Sequence, residues 1–196
     1  KKYSILIGTQ IIAKGLHFPD VTLVGVINSD TILNFPDFRA GEKTFQLLTQ
    51  VSGRAGRGEK KGRVIIQTYQ PENNVIKDSK EEKYQMFYEK EIKLRKTFFY
   101  PPFSKTLNIG FSSEDEAKLQ ELANKFYSEI KDEDVELYGP MPSMVYKVQK
   151  RFRMNIFVKG SKKKVDIFKR KLYKKLEEFN DSKVRIVVDV DPINLM

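Results

Sequence analysis

Hydrophobic residues in the first third of the chain come in short unbroken runs, whereas further on they fall at alternating or helical spacing. That change of rhythm predicts two kinds of structure. Residues 4–9 (SILIGT), 21–28 (VTLVGVIN) and 62–68 (GRVIIQT) read as strands buried on both faces, the pattern of a parallel sheet. Between the last two runs, Phe45, Leu48 and Val51 recur three apart and Leu47 precedes Val51 by four, so a helix with one buried face is expected. Gly53, Gly56 and Gly58 close it. Asp37 is placed to cap this helix, and Arg39 and Glu42 are spaced for a solvated ion pair. Strand, loop, strand, helix, strand is the rhythm of an α/β domain with ligand groups at strand ends. Three strands make a small sheet, so the expectation is a fragment of a longer protein that opens inside a domain.

Residues 70–79 turn polar and mark a boundary. Ser79-Lys80-Glu81-Glu82 reads as a capping box, which predicts a connecting helix from about residue 80 to about residue 98, stopped by Pro101-Pro102. The aromatic cluster at residues 98–103 (FFYPPF) suits a hydrophobic hinge, with base stacking as the alternative. Beyond it, residues 105–111 (KTLNIGF) alternate as a half-buried strand does. Leu119, Leu122, Ala123, Phe126 and Ile130 then predict a helix over 114–130. Strand material at 135–138, 145–149 and 154–158 surrounds Gly139-Pro140-Met141-Pro142. A helix marked by Val165, Phe168, Leu172, Leu176 and Phe179 leads to a last strand at 184–190. The order is β-α-β-β-α-β, the ferredoxin-like split motif with an antiparallel sheet. The fold class is therefore α/β, with a parallel-sheet part at 1–78, a connecting helix and Pro-Pro hinge at 79–102, and an α+β domain at 103–196.

Charge sharpens the picture of the second part. Lys+Arg 36 against Asp+Glu 26 gives +10, which points to an anionic partner. Nine of the basic residues lie between Lys159 and Lys175 against the single acid Asp166, and Lys162, Lys163 and Lys164 are adjacent. Lys147, Lys150, Arg151 and Arg153 form another cluster, interleaved with Tyr146 and Phe152. Such surfaces suit a nucleic-acid backbone without regard to sequence; the plain alternative is a solvated face. With Cys 0 and the lone His17 there is no disulfide and no cysteine or histidine cluster for a metal. The acids of residues 187–192 (VVDVDP) read as a strand terminus, so no metal site is expected. No apolar run approaches a membrane span and no signal-peptide pattern opens the chain, so cytoplasmic residence is the expectation.

The candidate chemistry centres on Arg54 and Arg57, one helical turn apart among glycines. Each guanidinium can grip phosphate oxygens through two donors; the alternative is a pair of arginines complementing a helix dipole. The string Gln50-Val51-Ser52-Gly53-Arg54-Ala55-Gly56-Arg57 resembles the arginine-finger motif of the second motor domain of superfamily-two helicases. Gly8-Thr9-Gln10 with Lys14-Gly15-Leu16-His17-Phe18-Pro19 resembles motif V of the same enzymes, though many of them carry an acid where His17 stands. Taken with NFPDFRAGEKTF ahead of it, the arginine string resembles the primosomal replication-restart helicases, the PriA family. Pro101-Pro102-Phe103, Gly139-Pro140 and residues 189–192 extend that likeness over nearly the whole chain.

The resemblance implies the C-terminal portion of an ATP-dependent 3′ to 5′ DNA helicase acting in replication restart and primosome assembly. Residues 1–78 would then be part of a RecA-like motor lobe. Gln50, Arg54 and Arg57 would face the nucleotide, and Thr9, Gln10 and Lys14 would couple it to DNA. It also implies ATP and Mg2+ in the full-length protein, held mainly by an N-terminal lobe outside this chain, and zinc in a cysteine module also outside it. The implied partners are forked, single-stranded and branched DNA, single-strand-binding protein and primosome proteins, with no membrane. No Gly-x-x-x-x-Gly-Lys-Ser/Thr loop occurs in the chain, so alone it is expected to be inactive. The alternative is a non-enzymatic nucleic-acid or protein-binding module with a degenerate motor half.

Overall fold

Strands β1 (Leu23–Val26) and β2 (Arg63–Ile66) pair in parallel, Leu23 opposite Arg63 and Val26 opposite Ile66. Parallel neighbours need a crossover, and helices α1 (Asp30–Leu33) and α2 (Ala40–Ser52) lie in it. This computed structural model describes residues 4–9, 21–53, 62–179 and 181–194. The chain divides into two compact units, Lys1–Leu94 and Arg95–Met196.

In the first unit the sheet differs from expectation. Residues 4–9 form no strand, and Ile5 and Ile7 are 79% and 85% exposed. A continuous apolar run is stable as a strand only where a neighbour satisfies its backbone and other elements cover both faces. Among the described residues the parallel sheet is two-stranded and offers this run neither. β1 and β2 themselves alternate between exposed and half-buried positions.

Helix α2 buries Ala40, Thr44, Phe45 and Leu48, and the Gly53 N–H donates to the Thr49 carbonyl at its end. Asp37 holds the start of this helix without being its cap residue. Its buried carboxylate accepts from the Arg39 N–H at 2.9 Å and from Lys43 Nζ at 3.1 Å. Arg39 occupies the cap position and pairs with Asp37 at 3.6 Å, where the sequence suggested Glu42. A second buried carboxylate, Asp30, accepts from Thr68 Oγ1 at 2.9 Å and from the Tyr69 N–H at 3.0 Å. It ties the segment after β2 to the start of α1.

The polar stretch 70–79 contains a helix, α3 (Asn74–Lys80), capped by the Asn73 side chain, which accepts from the Val75 N–H at 2.9 Å. Ser79 lies inside α3 and its hydroxyl donates to the Val75 carbonyl at 2.6 Å, so the expected capping box does not form. Asn73 offers the first orphan N–H groups an acceptor six residues earlier, and the segment it starts buries Ile76. The connecting helix accordingly begins later, as α4 (Tyr84–Thr97), with Asp78 bonded through both oxygens to Lys90 Nζ and Phe87 stacked 4.3 Å from Phe45.

The second unit runs β3 (Lys105–Ser113), α5 (Glu116–Glu129), β4 (Glu136–Val148), β5 (Arg151–Gly160), α6 (Lys162–Glu178) and β6 (Arg185–Val190). This is the β-α-β-β-α-β order. The four strands lie β4-β5-β3-β6, each antiparallel to its neighbours. Alternation places Leu107, Ile109 and Phe111 of β3 and Met154, Ile156 and Val158 of β5 on one face. There they meet Leu119, Ala123 and Phe126 of α5 and Val165, Phe168 and Leu172 of α6. Each of these side chains larger than Ala123 contributes about 1.5–3 kcal/mol of burial. The segments expected at 135–138 and 145–149 belong to one irregular strand, β4, with register shifts after Tyr138 and Pro142. Gly139 sits at the first shift with φ +116, and a Cβ there would lie 2.7 Å from the Asn155 carbonyl, so the position admits only glycine.

Lys159 belongs with the exposed basic run in the sequence, but the structure buries it on β5. Its Nζ lies 3.0 Å from Glu136 Oε2 and donates to the Phe98 carbonyl at 3.0 Å, with the Tyr100 ring centroid 4.8 Å away. Burial pulls the Lys159 ammonium down, yet the Glu136 carboxylate and Tyr138 outweigh that and hold it above the ordinary lysine value. Glu136 is held below the usual carboxylate range by the Tyr138 hydroxyl, with Lys159 adding to the effect against burial. Lys159→Met should therefore lower stability by about 1–3 kcal/mol in urea unfolding. The Lys159 contribution is present below the ordinary lysine value of 10.5 and lost as pH rises through its raised one, whereas the Glu136 contribution is lost as pH falls below 4.5. Unfolding midpoints measured across pH should show both arms, with the alkaline arm flattened in the Met variant.

Candidate nucleic-acid interface

Of the motor residues, Thr9 and Gln50 fall among the described residues and both are exposed. Gln50 stands in the last turn of α2, one turn ahead of Gly53. Gln10, Lys14, Arg54 and Arg57 lie outside the described residues.

The basic residues of the two sequence clusters are all described, and they stand in two places. Lys147 and Lys150 are exposed at the β4–β5 hairpin, where Gln149 and Lys150 both take positive φ, 47 and 70, as a two-residue primed turn requires. The Lys147 Nζ lies 4.2 Å over the Phe152 ring. Arg151 donates to the Ser112 carbonyl at 2.9 Å and lies 3.9 Å from Glu114. Arg153 has no ion-pair partner among the described residues. Lys162, Lys163 and Lys164 stand at the start of α6, where Ser161 Oγ accepts the Lys164 N–H. β5 separates the two clusters, and ten residues at ~3.3 Å each make that roughly 30 Å. One patch therefore does not contain both.

Acids quench part of the helix. Lys164 pairs with Asp134 at 3.1 Å, Lys171 with Asp132 at 2.8 Å and Lys175 with Glu178 at 2.8 Å. The Lys171 ammonium holds the Asp132 carboxyl below its ordinary range, helped by the Asp134 N–H. Lys162, Lys163, Arg170 and Lys174 are exposed without such partners among the described residues. A surface of this kind can neutralise backbone phosphates but carries no base-reading geometry.

The model of the primosomal protein N C-terminal domain matches residues 96–193. The chain belongs to the PriA family. Relatives named replication restart protein PriA occur in Bacillus subtilis (42% identical over 100% of this chain and 25% of theirs) and Rickettsia conorii (45% over 81% and 24%). Another, from Borreliella burgdorferi, is 37% identical over 100% of this chain and 30% of its own length. The chain thus spans about a quarter of the length of the curated relatives it matches. The matched PriA domain encloses both basic clusters, and the stretch holding Gln50 lies ahead of it.

One arginine escaped the sequence reading. Arg185 of β6 is exposed and sits opposite Ser112, whose other neighbour is Arg153, so two arginines from distant segments flank one small residue. Alternation along β6 reveals which of its residues share a face, but the neighbouring strand is a tertiary fact. For the helix cluster, replacing Lys162 and Lys163 with alanine should weaken duplex binding severalfold and flatten the log–log salt dependence by about one unit per lost phosphate contact. Lys164→Ala should cost less because Asp134 already partners it. Titrations at two salt concentrations measure both effects.

Proposed function

We propose that this chain is the C-terminal working part of an ATP-dependent 3′ to 5′ replication-restart DNA helicase, combining the end of a RecA-like lobe with a ferredoxin-like DNA-engaging domain. The observation that carries the reading is the helicase string Gln50 to Arg57, whose first residues, Gln50 to Gly53, end a helix in the crossover between two parallel strands. Family membership supports it. The β4-β5-β3-β6 order supports the ferredoxin-like assignment of the second unit. In this reading Arg54 and Arg57 would meet the polyphosphate of ATP held with Mg2+ by a lobe outside the chain. Guanidinium groups there stabilise negative charge as it develops during phosphoryl transfer. Gln50 would orient groups at the same site, and Thr9, Gln10 and Lys14 would sense the DNA backbone. With Cys 0 the chain does not fit a cysteine-bound zinc, and no step runs through one. Forked, single-stranded and branched DNA would be the substrates, and an acidic tail of a single-strand-binding protein and primosome proteins further partners.

The test uses the full-length protein. Arg54→Ala and Arg57→Ala should each lower ATP turnover, by about a thousandfold at the upper end, with fork affinity nearly unchanged. Equal loss of both would assign the arginines to folding, and unchanged turnover would favour a binding module with a degenerate motor half. Lys14→Ala should reduce the stimulation of ATP hydrolysis by single-stranded DNA more than basal hydrolysis, read as the ratio of the two rates.

A further inference from the structure

Helices α5 and α6 cover one face of the four-stranded sheet, and the other face carries a different set of side chains. The register brings Tyr138 of β4 opposite Phe157 of β5, and Phe157 opposite Asn108 of β3. The two rings lie 6.2 Å apart between centroids and tilted at 37°, with Tyr138 44% exposed. The Tyr138 hydroxyl donates to Glu136 Oε2, and Glu136 is itself paired with Lys159, so the Tyr138 ring is held from its polar end. One row along, Asn155 stands opposite Gly110, which has no side chain to fill the face above it. Arg153 and Arg185 flank Ser112 one row further, two strand spacings or about 10 Å apart, and neither has a carboxylate partner among the described residues.

We propose that this open sheet face binds single-stranded DNA, with bases stacked on Tyr138 and Phe157 and backbone phosphates held by Arg153 and Arg185. Flat rings fixed on a sheet accept the face of any base, and single strands expose those faces whereas a duplex does not. Asn108 and Asn155, both largely buried, stand on the same face beside the rings. The two unpartnered guanidinium groups supply the complementary charge that an anionic strand needs. Two carboxylates stand on this side at the ring end, Asp189 opposite Asn108 on β6 and Glu136 of β4, the latter already paired with Lys159; both repel phosphates, which keeps the backbone toward the arginines. A folded protein partner fits less well, because buried amides at Asn108 and Asn155 interrupt the apolar surface in its middle. The site is distinct from the α6 lysines, which lie on an element packed against the opposite face.

The inference rests on the reading that this unit engages DNA, and the two fail separately. The 196-residue chain is titrated with a fluorescein-labelled oligothymidylate, an abasic oligomer of the same length and a blunt duplex. The wild type should prefer oligothymidylate to the abasic strand by about 5- to 150-fold for each stacked base. Tyr138→Leu with Phe157→Leu should reduce oligothymidylate affinity to the abasic level in protein that circular dichroism shows folded, whereas Tyr138→Phe, which keeps the ring, should retain it. Arg153→Ala and Arg185→Ala should each flatten the single-strand salt slope by about 0.7. Equal wild-type affinity for the abasic and normal strands overturns the proposal. So does wild-type binding by the double leucine variant, or an equal loss on both strands. If the lysine variants of α6 abolish all DNA binding while the ring variants change nothing, the broader reading stands and this one falls. Loss of acidic-peptide binding in the ring variants, with oligothymidylate binding intact, reassigns the face to a protein and overturns it too.

Discussion

A sheet has two faces, and in the second unit only one is covered by helices. Most of that unit's character follows from this constraint. The covered face must be apolar at every alternate position, and Leu107, Ile109, Phe111, Ile156 and Val158 are fully or almost fully buried there. The intervening positions are then free to be polar, and they hold Thr106, Asn108, Asn155, Arg153 and Lys159. Polar groups on a central strand still lose much of their water, so they need partners or an open solvent path. Lys159 finds Glu136, the Phe98 carbonyl and a ring; Asn108 and Asn155 lie on the same face as Lys159 and are largely buried.

The first unit obeys a different constraint. Two parallel strands cannot be joined by a tight turn, so the connection between β1 and β2 must travel a helix's length. That places α2, with Gln50 in its last turn, in the crossover. Two buried carboxylates hold the path. Asp30 binds the backbone and hydroxyl beyond β2, and Asp37 binds the beginning of α2. Neither acts as an ordinary helix cap; Asp30 depends on Thr68 and Tyr69, which come close only when the crossover is complete, whereas Asp37 uses its near neighbours Arg39 and Lys43.

Helices and alternating strands of the second unit were legible because their periods, 3.6 and 2, are written in single residues spaced a few apart. Leu119, Ala123 and Phe126, or Val165, Phe168 and Leu172, predict a buried stripe before any neighbour is known. Continuous apolar runs carry no such marker. Residues 4–9 and 21–28 look alike in sequence, yet β1 forms with β2 as its neighbour and residues 4–9 form no strand and stay exposed. Local signals also compete: Ser79 and Asn73 both suit a helix start, and the choice fell to the one whose helix could bury Ile76.

The sequence by itself determined the order of elements in the second unit, the buried stripes, the excess positive charge and the likeness of residues 50–57 to a helicase motif, because each is a property of neighbours along the chain. Only the tertiary structure decided which charges remain available. Lys159 and Lys171 read alike in the sequence, but one is enclosed by β4 and the Phe98 carbonyl and the other stands against Asp132. Arg153 and Arg185 are 32 residues apart in number and share Ser112 between them. Pairing and desolvation depend on distances of a few ångströms across strands and helices, and sequence spacing does not encode those distances until the sheet has chosen its order.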